Sequence, residues 1–296
     1  MENKNVALVL SGGGARGMAQ IAVIEELQKR GYRITSLAGT SIGALIAGVY
    51  ASGKLTEFKE WITQIGKYDV FKLMDFAISK KGFIKGEKVF TKLHDFLLDT
   101  RIEDLGIPYA AVAVDIKSHQ EIVFRSGNLI EAIRASVSIP TVLLPQNCNG
   151  IDLVDGGVLN PLPLDSIVRT PGDILVAVDL NSSIGYSKPK INKIPVEHES
   201  TYLKAKEMIN ENWSKFHKDT HKTIGYFDLI TESIYTMQMK LTQFSIEKYK
   251  PDILIEISKD ACELFGFHRA QEMMEYGRKQ FKAAFPKEKQ TEMQVQ

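Results

Sequence analysis

Residues 5–51 read NVALVLSGGGARGMAQIAVIEELQKRGYRITSLAGTSIGALIAGVYA. Val6–Leu10 is a short, unbroken apolar run ending in glycines, the pattern of a strand buried on both faces of a parallel sheet. Over Met18–Lys29 the spacing turns helical: Ile21, Ile24 and Leu27 recur on one face, and Gly31 follows as a stop. Ile34–Ala38 reads as a second strand. Ile42–Ala51, rich in Ala44, Ala47 and Gly48, reads as a helix of small residues able to pack closely on a sheet. Strand, helix, strand, helix opens an α/β fold. The expectation is a three-layer α/β/α sandwich around a mostly parallel central sheet.

Beyond this opening, Leu55–Leu98 reads as mostly helical, broken at Gly82 and Gly86. Strands are expected at Tyr109–Ile116 and Glu121–Arg125, then a helix at Leu129–Ser136. Thr141–Leu144 and Ile151–Val154 read as short strands joined through the hairpin signal Asn149-Gly150. Ile174–Leu180 is another buried strand. Composition turns polar at Asn181, and a long polar helical region spans about Ser200–Tyr249. A strand at Ile253–Ile257 and a helix at about Arg269–Phe285 close the chain. The expected organisation is one domain over 1–286: a core of about 5–180, a helical insertion of about 181–250, a closing unit of about 251–286, and a polar tail at 287–296.

With 44% hydrophobic and 25% charged residues, the 296-residue chain has the composition of a globular protein, not of a disordered or fibrous one. Lys+Arg 37 against Asp+Glu 36 leaves a formal charge of +1, which argues against a nucleic-acid partner. Two isolated cysteines, Cys148 and Cys262, form neither a zinc pattern nor a disulfide framework, and suggest a reducing compartment. Val6–Leu10 is too short for a signal-peptide core, and no stretch approaches a membrane span. The expected location is the cytoplasm, with peripheral contact at a membrane left open.

Gly12-Gly13-Gly14-Ala15-Arg16-Gly17 sits between the first strand and the first helix. It matches G-x-G-x-x-G through Gly12, Gly14 and Gly17, so a dinucleotide site is one reading. Such a site wants an acid at the end of the second strand, about 20 residues on. That strand ends in Leu37-Ala38-Gly39-Thr40-Ser41, without one. A P-loop fails too, because no Gly-Lys-Ser/Thr follows. The loop does offer unhindered backbone N–H groups at a helix N-terminus, which stabilise a phosphate or a developing oxyanion. Arg16 adds positive potential or fixes the loop by hydrogen bonds.

Gly39-Thr40-Ser41-Ile42-Gly43 is G-x-S-x-G at a strand-to-helix turn. A sharp turn there strains the serine backbone, and the flanking glycines avoid collisions with neighbouring elements. Ser41 Oγ then projects over a helix N-terminus at the carboxyl edge of the sheet. A serine nucleophile needs a base. His94, His119, His198, His217, His221 and His268 stand in no context that marks a catalytic histidine. His217 and His221 have i, i+4 spacing but no third ligand, so no metal is expected. Asp155-Gly156-Gly157 closes the strand Ile151–Val154 and places a carboxylate at a strand end. Asp152, Asp165 and Asp179 compete with Asp155, and spacing does not rank them.

These blocks together resemble the patatin-like phospholipase family. Ala135-Ser136-Val137-Ser138-Ile139-Pro140, running to Pro145, and Val158-Leu159-Asn160-Pro161-Leu162-Pro163 extend the likeness over about Asn5–Leu180. It implies a patatin-like variant of the α/β-hydrolase architecture and a Ser–Asp dyad cleaving fatty acyl esters of phospholipids or lysophospholipids. Ser41 is then the nucleophile and Asp155 the base. The amides around Gly13, Gly14 and Ala15 form the oxyanion hole, with Arg16 the basic residue of that loop. No cofactor is implied. An acyltransferase and a non-enzymatic lipid-binding protein are the alternatives. Two apolar stretches, Trp61–Ile78 and Trp213–Phe244, are candidates to cap the site and touch a bilayer; the first is favoured because it follows the nucleophile helix.

Overall fold

The computed structural model describes residues 4–73, 85–140, 142–190 and 226–285, with side chains of 226–228 and 231 left aside. Its sheet is mostly parallel. β1 (Asn5–Leu10), β2 (Arg33–Thr40), β3 (Tyr109–Asp115), β7 (Ile174–Ser182) and β8 (Ile253–Ser258) run parallel to one another along the path β5-β6-β3-β2-β1-β7-β8. β4 (Gln120–Phe124) and β6 (Ile151–Asp155) pair antiparallel with β3, and β5 (Gln146–Cys148) pairs antiparallel with β6.

β1 is buried from Val6 to Leu10 because both faces of the sheet are covered. Val6, Leu8 and Leu10 face α1 (Met18–Lys29), α2 (Ile42–Ala51), α6 (Leu129–Ser136) and the closing helix. Ala7 and Val9 face Leu162, Leu164 and the C-terminal end of the long helix that precedes β8. The expected α/β class and its opening elements stand as read. Helix spans α1, α2 and α6 coincide with their expected limits, because glycines and an Asn128 cap punctuate them.

Helices α3 (Leu55–Gln64), α4 (Lys67–Leu73) and α5 (Glu87–Leu97) follow α2. After β7 come α7 (Tyr226–Tyr249), β8 and α8 (Ala270–Ala284). The strand expected at Thr141–Leu144 is displaced to β5. Val142 and Leu143 donate their N–H groups back to the Ile139 carbonyl in a turn after Pro140 instead; Thr141 lies outside the described residues. The Asn149-Gly150 turn is the two-residue kind, with φ of 51° and 84°. Residues 74–84 and 191–225 lie outside the described residues, so the expectations placed there, including His198, His217, His221, Trp213 and Met74, carry no structural statement. Among the described residues no helix is long and apolar enough to cross a membrane.

The meeting of β2 and β6 positions the site. Ala111 and Val112 of β3 pair with β2 on one edge and with β4 on the other. Ala113 to Asp115 pair with β4 and with β6. β6 therefore takes up the edge of β3 that β2 leaves. Because β2 is parallel and β6 antiparallel to β3, their C-terminal ends meet: Thr40 lies opposite Val112, and Asp155 opposite Ala113.

Candidate active site

Ser41 joins β2 to α2 with φ 56° and ψ −126°, a conformation that strains any residue with a Cβ. The turn is tight enough that a Cβ on Gly39 would lie 2.4 Å from the Gly43 carbonyl carbon, and one on Gly43 would lie 2.1 Å from the Leu10 carbonyl oxygen. Ser41 N–H donates to Ser136 Oγ at 2.9 Å, and the Ser136 hydroxyl donates to the Val112 carbonyl at 2.6 Å. Thr40 Oγ1 donates to the Asn160 carbonyl at 2.7 Å. The first turn of α2 carries no acid, so its positive end acts undiminished on the Ser41 region.

Asp155 is only 4% exposed. Its backbone N–H donates to the Ser138 carbonyl at 2.9 Å, and its Oδ1 accepts from Gly157 N–H at 2.7 Å. Oδ2 has no full hydrogen-bond partner among the described residues. Burial pushes the carboxyl up to about 6, while the Ser41 side chain and the Gly157 amide pull it partly back. A Cβ on Gly156 would lie 2.3 Å from the Val112 carbonyl oxygen, so only glycine lets the end of β6 come this close to β3. The segment Ser136–Ser138 holds both sides: its first hydroxyl takes the Ser41 amide, and its last carbonyl takes the Asp155 amide.

In the glycine loop, Gly12 N–H donates to the Pro161 carbonyl at 3.0 Å and Ala15 N–H to the Leu264 carbonyl at 2.9 Å. The Ala15 amide, expected among the anion-facing donors, is thus committed to the fold. The amides of Gly13 and Gly14 donate to no group among the described residues. Gly14 has φ +58°, which glycine adopts without strain. Gly17 lets α1 approach α2, since a Cβ there would lie 2.3 Å from Ile42 Cγ1.

Arg16 is buried and donates four hydrogen bonds. Its guanidinium donates to the carbonyls of Leu180 (2.9 Å), Lys259 (3.2 Å) and Cys262 (3.2 Å), and to Asn181 Oδ1 (3.0 Å). Asn181 Nδ2 in turn donates to the Gly12 carbonyl at 2.9 Å. Of the two expected roles for Arg16, fixing the loop is the one its contacts serve.

The competing acids separate in space. Asp152 is tied to Lys117 at 3.0 Å and to Asn147 at 2.8 Å, and Asp165 accepts from Asn160 at 2.8 Å. Asp179 is buried and also raised to about 6, by burial first, but its Oδ1 accepts from Asn181 N–H. Only Asp155 lines a cavity with Ser41. His94 lies near Asp99 at 3.7 Å on the surface, and neither it, His119 nor His268 lines those cavities. Among the described residues no cluster of His, Cys, Asp or Glu could hold a metal ion.

Two cavities meet at Gly14 and Ser41. One, of about 160 Å³, is apolar and lined by α3, α5 and α6 through Phe58, Trp61, Ile62, Leu93 and Ile133. The other, of about 70 Å³, has mixed walls: Asp155, Tyr235 and Gln238 stand beside Ile139, Pro140 and Ile234. Both stretches suspected of capping the site therefore contribute walls, one to each cavity. Sequence reasoning missed Ser136, Ser138, Asn181 and Gln238. The first two stood within a block already singled out, but nothing local marked their bonds.

A family model described as "Patatin-like phospholipase" matches residues 8–168. An NTE family protein of Mycobacterium tuberculosis is 31% identical over 92% of this chain and 89% of its own length. Neuropathy target esterase sws of Drosophila melanogaster is 30% identical over 62% of this chain, and patatin-like phospholipase domain-containing protein 7 of Mus musculus is 32% identical over 60%. The chain spans only 13% and 14% of those two animal proteins. The solved structure of VipD from Legionella pneumophila covers 96% of this chain and 67% of its own at TM-score 0.47 and 14% identity, a likeness too loose to bear on the site.

Proposed function

The chain belongs to the patatin-like phospholipase family, and on that premise we propose that it is a lipid acyl hydrolase in which Ser41 is the nucleophile and Asp155 its base. The observation that carries this reading is the end-to-end meeting of β2 and β6, which sets the two side chains in one buried cleft beside uncommitted glycine amides.

Asp155 takes the Ser41 proton as Oγ attacks the ester carbonyl. A carboxyl near 6 is a better base than an ordinary aspartate and is still ionised at neutral pH. The developing oxyanion is met by the Gly13 and Gly14 amides; preorganised donors of this kind contribute about 10²–10³ each to turnover. Collapse expels the alcohol with the proton from Asp155 and leaves an acyl ester on Ser41. Water, deprotonated by the same carboxylate, then releases the fatty acid. Ester and water alone balance the reaction, so no cofactor enters. The apolar cavity suits the acyl chain, because burying each methylene there is favourable by about 0.8 kcal/mol.

The test is turnover of a chain-length panel of nitrophenyl esters beside phospholipid and lysophospholipid. Ser41→Ala abolishes turnover, Asp155→Asn nearly does, and long acyl chains are preferred. Full activity in either variant contradicts the proposal.

A further inference from the structure

We infer that Asn181 is a positioning residue for the reaction: with Ser11 it grips the Gly12 carbonyl and so aims the Gly13 N–H at the oxyanion. This rests on the reading of Ser41 as the nucleophile and of the Gly13 amide as an oxyanion donor. Asn181 does not line the cleft with Ser41 and acts through one peptide plane.

The Gly12–Gly13 peptide is trans, so its carbonyl and its N–H point to opposite sides. The carbonyl is turned to the end of β7, where it accepts from Asn181 Nδ2 at 2.9 Å; it also accepts from Ser11 Oγ at 3.2 Å. The N–H is thereby left on the side of the cavity that Gly13 lines with Ser41 and Asp155. The plane lies against the nucleophile, since a Cβ on Gly12 would lie 3.2 Å from Ser41 Cβ.

Both grips are themselves held. Asn181 is buried; its backbone N–H donates to Asp179 Oδ1 at 2.9 Å, and its Oδ1 accepts from the Arg16 guanidinium at 3.0 Å. The bond from Arg16 sets the carboxamide the right way round, with the donor Nδ2 facing Gly12. Ser11 Oγ accepts from Leu180 N–H at 2.9 Å, which turns its proton to the Gly12 carbonyl. The preceding peptide is tied at both ends: Gln20 Nε2 donates to the Ser11 carbonyl at 2.9 Å, and Gly12 N–H donates to the Pro161 carbonyl at 3.0 Å. The Gly12–Gly13 peptide is tied at its carbonyl alone, and its N–H has no acceptor among the described residues. A preorganised donor needs this combination, a fixed direction with its hydrogen unspent. Bonds onto the carbonyl also polarise the plane and strengthen the N–H by about 10–30% per bond. Without them, the plane would turn freely, because glycine torsions flank it.

The experiment probes the full chain with a long-chain trifluoromethyl ketone and, separately, with the fatty alcohol of the same length, each as an inhibitor of nitrophenyl ester turnover. Ser41 Oγ adds to the ketone carbon, its proton passes to Asp155, and the carbonyl oxygen becomes an alkoxide where the oxyanion forms. The alcohol fills the cleft without forming one. An inhibition constant does not depend on how many molecules are folded. In Asn181→Leu, which keeps the shape and loses the amide, ketone affinity falls about tenfold together with kcat, less than the roughly 10²–10³ of losing a donor outright. Alcohol affinity and KM change less than about twofold, because uniform binding is untouched. Ser11→Ala leaves the Arg16 contact in place and lowers ketone affinity about threefold, as suits one neutral hydrogen bond; it carries the test alone if Asn181→Leu yields no active protein. Unchanged ketone affinity, equal losses of ketone and alcohol, or a loss confined to Asn181→Leu overturns the inference. Absence of nitrophenol release from the wild type, or its persistence in Ser41→Ala, overturns the nucleophile assignment itself.

Discussion

Asp155→Asn stabilises the fold while removing activity, and does so only above about pH 3.8, where the carboxyl of the unfolded chain is ionised. Burial carries this carboxyl from 3.8 to about 6. Below pH 3.8 it is neutral in both folded and unfolded chains and contributes no difference. Between 3.8 and 6 the folded protein keeps a proton that the unfolded chain has lost, so stability falls as pH rises. Above 6 the whole difference is felt, about 3 kcal/mol at pH 8 and about half of that at pH 5. Asparagine imitates the neutral form, and its carbonyl oxygen can still accept from Gly157 N–H. Urea unfolding of both proteins at pH 5 and pH 8 measures this directly. The variant is the more stable at both, by about 3 kcal/mol at pH 8 and about half of that at pH 5, and its melting point at pH 8 rises by several degrees. An equal gain at the two pH values, or a loss at pH 8, would refute the link between burial and the raised carboxyl.

The same carboxyl sets the activity profile: kcat/KM on a soluble ester rises as pH passes through about 6, and a profile flat from pH 5 to 8 would exclude Asp155 as the base. Ser136→Ala leaves the buried Ser41 N–H without its partner and removes the bond to the Val112 carbonyl, lowers stability by about 1–3 kcal/mol in denaturant titrations, and loosens the elbow enough to reduce kcat. Phe71, 46% exposed on α4, is a candidate bilayer contact. Phe71→Ser is expected to reduce hydrolysis of vesicle lipid at least fivefold more than hydrolysis of a short soluble ester, with the melting point as the control for a structural effect.

Much of the fold was legible because its elements are strongly periodic or sharply punctuated. β1 holds the unbroken apolar run Val6–Leu10 and β7 the run Ile174–Val178, α1 and α2 end at glycines, and the Asn149-Gly150 turn has one natural conformation. The elbow was legible for the same reason, since its glycines and small-residue helix are contiguous. The choice of Asp155 among four acids was not legible from spacing. It depends on β2 and β6 sharing one edge of β3 although more than 100 residues of chain separate their ends, and only the family likeness pointed to it. Asp179 is equally buried, and no local pattern shows that its carboxyl is turned to the Asn181 amide. The Ala15 amide was misjudged because its acceptor, Leu264, belongs to a distant loop. Gln238 stayed hidden in a long helix whose polarity pointed to solvent.

The assignment of Ser41 and Asp155 is tested most directly by a long-chain fluorophosphonate, followed by intact mass and peptide mapping. One adduct per chain is expected, on Ser41, absent from Ser41→Ala and formed at least about 10²-fold more slowly by Asp155→Asn. An adduct on any other residue, or labelling of Asp155→Asn at the wild-type rate, would contradict it.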